Sequence, residues 1–372
     1  MVKNPAVANF ASSKAMAPDK EKNKKEEGKP TTAPDSLAHQ YGGNSISSWV
    51  SCLPVSWVPY IQLARLNPPA GLSLIYFPHL FGVLLAGVRL RASLADLLHP
   101  AVTLLGGSFF VSNAIHIWND LIDAPLDALV ERTRHRPIPR GAVSRARALV
   151  FTITQAVCAA AVLPFLNEGV SPWEALAWAT PGFVSWTYYP FAKRHFDVPQ
   201  AVLGFCLAWG VVMGCLATGL RPVEVTTTVA VSGSTYWDVK VDWSAVCLFG
   251  ACVLWSVIYD SVYAHQDRDD DIKFGIKSLA VLCSGRMKEV LWALLGVMAL
   301  MLVACGVIAE LSVWFSVLGV GGSFVALATM IYRVQLGESA SCWWWFGKGF
   351  WWVGFAISGG LLADLVGREG GS

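Results

Sequence analysis

The chain has 372 residues, of which 54% are hydrophobic and only 15% charged, and its formal net charge is +2. Soluble domains carry about 25% charged residues, so this shortfall excludes an ordinary soluble enzyme and points to a protein that crosses a membrane many times. The near-neutral balance as a whole says nothing about partners; no nucleic-acid partner is expected.

Residues 1–55 read as a disordered cytosolic tail. The run Lys20–Lys29, KEKNKKEEGK, lies among Ala, Ser, Pro and Gly and cannot bury enough apolar surface to offset its ordering entropy. Asp19, Glu21, Glu26 and Glu27 argue against a mitochondrial transit peptide, and no early apolar core marks a cleaved signal. The endoplasmic reticulum or a related endomembrane is therefore the expected location. Residues 56–367 read as a transmembrane domain of nine helices, at roughly 71–88, 101–118, 146–166, 171–190, 199–219, 243–263, 289–309, 313–333 and 345–365. With the N-terminus in the cytosol, 23 Lys and Arg fall on the cytosolic side and five on the other, which satisfies the positive-inside rule. The non-cytosolic stretch 223–242 is β-branched and broken by Ser232-Gly233-Ser234, and is expected to be a β-hairpin insertion or an irregular loop. Nine cysteines without a C-x-x-C pair read as small buried hydrophobes, not as a zinc site or a disulfide framework.

Two acidic clusters close helical spans. In Asn119-Asp120-Leu-Ile-Asp123-Ala-Pro-Leu-Asp127, positions 119, 123 and 127 are four apart and stack on one helix face. Such oxygen donors suit a hard cation such as Mg²⁺, although Pro125 is expected to kink or end the helix. In Tyr259-Asp260…Asp267…Asp271, the spacings of seven and four put three carboxylates on one face of a helix. Acids at a membrane are costly and usually functional. Two clusters on one side imply a shared site, in which metal ions bridge the carboxylates to a diphosphate. Arg132, Arg136 and Arg140 follow the first cluster, Lys193 and Arg194 follow the fourth span, and Lys273 and Lys277 follow the second cluster, all suited to phosphate oxygens. His116 and His265 read as hydrogen-bonded structural histidines.

These residues resemble the UbiA superfamily of membrane prenyltransferases. The pattern N-D-x-x-D-x-x-x-D is met at Asn119, Asp120, Asp123 and Asp127, and R-T-x-x-R-P at Arg132, Thr133, Arg136 and Pro137. Y-D-x-x-Y-A-x-x-D-x-x-D-D is met at Tyr259, Asp260, Tyr263, Ala264, Asp267, Asp270 and Asp271. G-x-K-S is met at Gly275, Lys277 and Ser278, and Y-P-x-x-K-R at Tyr189, Pro190, Lys193 and Arg194. The segment YFPHLFGVLLAG (76–87) looks like fungal meroterpenoid enzymes. One departure is Arg65-Leu-Asn67-Pro68-Pro69, with Pro68 where the family's R-x-x-K-P-x-G carries lysine.

The resemblance implies an all-α, nine-helix membrane bundle that moves a prenyl chain, farnesyl favoured, from its diphosphate to a phenolic polyketide acid of the orsellinic type. It implies Mg²⁺ held by Asn119, Asp123, Asp127, Asp267 and Asp271, and diphosphate held by Arg132, Arg136, Lys193, Arg194 and Lys277. Asp260, Lys193, Tyr189 and Tyr259 would be catalytic, and Arg65 and Asn67 would bind the acceptor. The alternatives are a membrane terpene cyclase of the same superfamily and a 4-hydroxybenzoate polyprenyltransferase of ubiquinone synthesis. A transporter would place its acids near mid-membrane instead.

Overall fold

A computed structural model describes residues 48–67, 70–130, 132–229 and 235–369. The expected tail lies outside the described residues as far as residue 47. Among the described residues, Ser48–Cys52 forms a 3₁₀ turn whose Val50 buries against Val58 and Ile61 of helix α1 (Val58–Leu63).

Helix α2 (Ala70–Leu90) is followed by α3 (Leu94–Asp127), which a Ser93–Asp96 capping box opens. Helix α3 continues through Pro125, so that proline does not terminate it. Its 34 residues exceed the length needed to span a bilayer, and its last turns stand beyond the apolar stretch. Next come α4 (Arg145–Ala160), α5 (Pro172–Ala192) and α6 (Pro199–Thr218). Strands β1 (Val223–Val229) and β2 (Thr235–Val241) pair antiparallel, with Val225 opposite Val239 and Thr227 opposite Trp237. Helix α7 (Trp243–Ala264), capped by Asp242, leads into the short α8 (Arg268–Phe274) and α9 (Leu279–Leu282). Helix α10 (Met287–Ile308) precedes a π-helical stretch, Phe315–Gly322, which runs into α11 (Ser323–Arg333). Helix α12 (Ser339–Trp344) and a second π-helical turn, Trp345–Gly349, lead into α13 (Phe350–Glu369).

Eight helical stretches among the described residues are long and apolar enough to cross a membrane. The expected fourth span, α5, has 21 residues but is not among the eight; its Trp, Tyr and Pro content lowers its hydropathy. Helices α2, α6 and α7 form the interior, while α4 and α10 turn Val150, Ile153, Val157, Leu300 and Val307 outward, as lipid-facing helices do. At the α2–α6 crossing a Cβ on Gly214 would lie 2.2 Å from the His79 carbonyl oxygen, so only glycine permits this approach. Phe77, Phe81, Trp255, Tyr259 and Phe350 fill the core beneath the site.

Candidate active site

The C-terminal ends of α3, α5 and α7 open onto one cavity of about 220 Å³. Five carboxylates line it, Asp123, Asp127, Asp260, Asp267 and Asp271, with six cationic side chains, Arg65, Arg132, Arg136, Lys193, Arg194 and Lys277. Deeper in, the wall becomes apolar, with Leu74, Ile75, Leu203 and Leu207.

Asn119, Asp123 and Asp127 reach the cavity because they share one face of α3. The second cluster arrives differently. The chain does not form one helix from Asp260 to Asp271: α7 ends at Ala264, and Asp267, at φ −109° and ψ 3°, starts α8. The shared-helix-face expectation is therefore corrected. Asp260 projects from α7 while Asp267 and Asp271 come from the turn beyond it, and all three still line the cavity. Gly275, at φ 68°, then reverses the chain, and the Lys277 N–H donates to the Lys193 carbonyl at 2.9 Å, tying this loop to the end of α5.

Each inward carboxylate has a defined environment. Arg132 grips Asp267 with two bonds, Nε to Oδ1 at 2.7 Å and a shorter one to Oδ2, and also donates to the Tyr263 hydroxyl at 3.3 Å. Burial opposes the charge on Arg132, but Tyr263 and Asp267 outweigh it and raise its pKa. Burial likewise pushes Asp267 up, yet Arg132 holds it below the ordinary carboxylate value. Arg136 donates to Asp127 at 2.9 Å and to Asp120 at 3.2 Å. Its charge is retained against burial by Asp127 and Asp120. Lys193 reaches Asp123 at 3.2 Å and lies 4.9 Å from the Tyr189 ring centroid; burial opposes its charge, and Asp123, Tyr189 and Asp260 raise its pKa overall. Asp271 has no such clamp. Burial, and after it the Asp267 charge, push it up to about 7.

Of the residues expected in the site, Asn67 does not line the cavity and is half-buried near the start of α2. Arg140 and Lys273 do not line it either: Arg140 donates to the His135 carbonyl and to Gln62, and Lys273 stands 3.9 Å from Asp270. Arg65 does line it, from a left-handed turn (φ 51°) that closes α1, with the Leu66 N–H bonded to the Ile61 carbonyl. That conformation costs a non-glycine residue about 1 kcal/mol. It aims the Arg65 guanidinium at Asp120, 2.9 Å away. Lys277 lines the cavity but pairs with Asp197 at 2.8 Å, and Arg194 donates to the Ile122 carbonyl at 3.2 Å. Tyr189 and Tyr259 both face the cavity.

The motif match included Asp120 without giving it a role; it is fully buried and accepts from both Arg65 and Arg136. The available signal was its place seven residues, two turns, before Asp127, on a common face. Gln200 was also missed; it lines the cavity, and its side-chain oxygen accepts from the Leu279 N–H at 3.0 Å, tying the start of α9 to α6.

The donor set is hard, carboxylate and amide oxygen, and fits Mg²⁺ rather than a soft metal. The Asn119 Oδ1 is buried without a hydrogen-bond partner among the described residues, an acceptor left for a ligand in the cavity. No three acidic, His or Cys groups among the described residues stand close enough to hold an ion by themselves. That arrangement is what Mg²⁺ uses with phosphates: one or two carboxylates per ion, the remaining positions going to phosphate oxygens and water.

The UbiA prenyltransferase family matches residues 43–354. The chain belongs to the UbiA prenyltransferase family. It is 32% identical to the prenyltransferase stbC of Stachybotrys bisbyi over 323 residues, 85% of this chain and 90% of that one. It is 34% identical to the DMOA farnesyltransferase nvfB of Aspergillus novofumigatus over 294 residues, covering 78% of this chain and 85% of that one. The mitochondrial 4-hydroxybenzoate polyprenyltransferase of Schizosaccharomyces pombe is 29% identical over 340 residues, 91% of this chain and 88% of that one. Among solved structures, the apo UbiA homolog of Aeropyrum pernix K1 superposes with TM-score 0.58 at 20% identity over 80% of this chain and 98% of that one. The UbiA homolog of Archaeoglobus fulgidus bound to GPP and Mg²⁺ gives 0.53 at 16% identity over 83% and 99%. The fold is thus the UbiA helical bundle, an integral membrane architecture.

Proposed function

We propose that this UbiA-family protein transfers a prenyl group, farnesyl favoured, from its allylic diphosphate to a ring carbon of a phenolic polyketide acid in meroterpenoid biosynthesis. The observation that carries the reading is the convergence on one cavity of Asp123 and Asp127 from α3 with Asp267 and Asp271 from the α7–α8 turn, ringed by Arg132, Arg136 and Lys193 and opening onto an apolar wall. The farnesyltransferase relative supports the chain length, and the Archaeoglobus homolog bound to GPP and Mg²⁺ supports the cofactor.

Asn119, Asp123, Asp127, Asp267 and Asp271 would hold Mg²⁺. When bound, the metal supplies Lewis-acid stabilisation of the leaving diphosphate. The chain's own residues do the rest. Arg136, buried, and Arg132, partly buried, both permanently charged, bind diphosphate oxygens, and Lys193 adds a third cation. As the C1–oxygen bond breaks, these cations meet the charge that grows on diphosphate. The π faces of Tyr189 and Tyr259 stabilise the allylic cation, and the apolar wall excludes water from it. An electron-rich ring carbon beside the acceptor hydroxyl attacks C1, a carbon–carbon bond forms, and loss of the ring proton restores aromaticity. Arg65 orients the acid group of the acceptor. The protein works in the endoplasmic reticulum or a related endomembrane, with this end of the bundle in the cytosol.

The test incubates membranes containing the protein with orsellinic acid and with 4-hydroxybenzoic acid, each with geranyl, farnesyl and geranylgeranyl diphosphate and Mg²⁺. Farnesylated orsellinic acid is the expected product by mass. A prenylated 4-hydroxybenzoate alone would move the protein to quinone synthesis, and a hydrocarbon from farnesyl diphosphate without acceptor would make it a cyclase.

A further inference from the structure

One imidazole in the cavity wall has no part in the diphosphate chemistry above. His116 lies on α3 one turn before Asn119 and lines the cavity. Its Nδ1 stands 2.7 Å from the Ser112 carbonyl oxygen. A carbonyl only accepts, so Nδ1 carries the proton and donates, and Nε2 is left as an acceptor with a free lone pair in the neutral ring. Every hydrogen bond the ring makes among the described residues is made by Nδ1.

The ring is also locked. Its Cε1–Nε2 edge rests on Gly71, in the first turn of α2 and in the cavity wall itself. A Cβ at Gly71 would lie 2.1 Å from Cε1 and 2.7 Å from Nε2. Glycine at 71 is therefore what lets the imidazole occupy this place between α2 and α3. The surrounding wall is apolar, formed by Leu74, Ile75 and Ile115, with Arg65 on the same cavity. His79 supplies the contrast. It bonds the Ile75 carbonyl at 2.8 Å in the same way, but it packs at the α2–α6 crossing and does not line the cavity, so it serves structure alone.

We infer that His116 Nε2 receives the hydroxyl of the aromatic acceptor and makes a free phenol, not its ether, the substrate. The inference rests on the prenyl-transfer reading above and adds the group that recognises the acceptor. An O–H donated to Nε2 satisfies an acceptor that makes no hydrogen bond among the described residues. It also pushes electron density from the phenol oxygen into the ring carbon beside it, the carbon that attacks. A methyl ether has no proton to give and leaves the lone pair unpaired against a methyl group. Sites built around such a hydrogen bond reject the analogue that lacks it by about 10⁴- to 10⁵-fold.

The experiment uses the full-length protein in lipid nanodiscs with Mg²⁺ and farnesyl diphosphate. It compares kcat/KM for orsellinic acid with that for its two mono-O-methyl ethers, with products quantified by mass. The readout is the phenol-to-ether ratio within each protein, so a smaller folded fraction cancels. Wild type is expected to prefer the phenol by at least about 100-fold over one of the ethers. H116L should bring that ratio below about 10. H116N, whose amide oxygen can still accept, should keep part of the preference. G71A, which drives a methyl group into the imidazole, should behave like H116L through a residue that has no hydrogen-bonding side chain. A wild-type ratio near one, or an H116L ratio equal to wild type, overturns the inference. Absence of any prenylated arene from wild type refutes the functional reading itself, and is thereby distinguished from failure of the His116 assignment.

Discussion

Asp120 and Asp123 are three residues apart on α3, yet the structure gives them opposite consequences on substitution. Asp120 is fully buried, does not line the cavity, and accepts from two guanidiniums, Arg65 at 2.9 Å and Arg136 at 3.2 Å. Replacing it with Asn keeps the shape and one neutral acceptor but removes the anion both arginines share. Breaking a buried ion pair from one side costs about 3–5 kcal/mol. With the amide oxygen retained, D120N should sit at the low end, about 3 kcal/mol, or roughly a hundredfold in the folding equilibrium. At about 2 °C or more per kcal/mol, the unfolding midpoint should fall by about 6 °C. D123N removes a carboxylate that lines the cavity, and its partner Lys193 is more accessible to solvent. Its midpoint should move less than that of D120N while turnover falls at least about a thousandfold, several kcal/mol of lost charge stabilisation. Thermal unfolding in detergent, followed by tryptophan fluorescence, and turnover with farnesyl diphosphate measure both effects on the same preparations. A D120N midpoint within about 1 °C of wild type, or a D123N protein more destabilised than D120N, would refute the division of labour between the two aspartates.

Asp271, pushed up to about 7 in the fold against 3.8 in its absence, takes up a proton on folding between those values. The stability of the metal-free protein should therefore decline as pH rises from about 4 through 7 and level above; D271N should flatten that slope, and an unchanged slope in midpoint against pH would contradict the assignment. R132K retains a charge but cannot hold Asp267 with two parallel bonds while also donating to Tyr263. Its kcat/KM should fall at least about tenfold, measured by diphosphate release; wild-type kinetics would show that the fork is dispensable. G214A would put a methyl carbon 2.2 Å from the His79 carbonyl oxygen. It should therefore lower the yield of folded protein by size-exclusion chromatography, and a wild-type yield would mean that α2 and α6 can separate without loss.

The features legible in the sequence were those written in local spacing. Asn119, Asp123 and Asp127 repeat every four residues, and a helix converts that repeat into one face whatever surrounds it. The second cluster shows the limit of the same rule. Its spacing of seven and four fits a helix, but the backbone breaks at Asp267, and the three carboxylates meet through a turn instead. The position of Arg65 was hidden because it depends on a left-handed residue that is not glycine, a conformation that propensity does not announce. The roles of Asp120 and Gln200 depend on partners 16 to 79 positions away, Arg136, Arg65 and Leu279, and no local pattern encodes such pairings. Gly71 closes the R-x-x-K-P-x-G pattern, but the reason for glycine there was hidden, since what it accommodates, the edge of His116, comes from another helix.

Binding of farnesyl thiolodiphosphate, a non-ionising analogue, measured by calorimetry with Mg²⁺ and with EDTA on wild type, D123N and D267N, tests most directly whether the two carboxylate clusters act on one ligand. Shared metal ions predict tight binding for wild type with Mg²⁺ only, and a large loss in each variant although the two aspartates lie on different segments. Equal affinity in EDTA, or wild-type affinity in either variant, would contradict it.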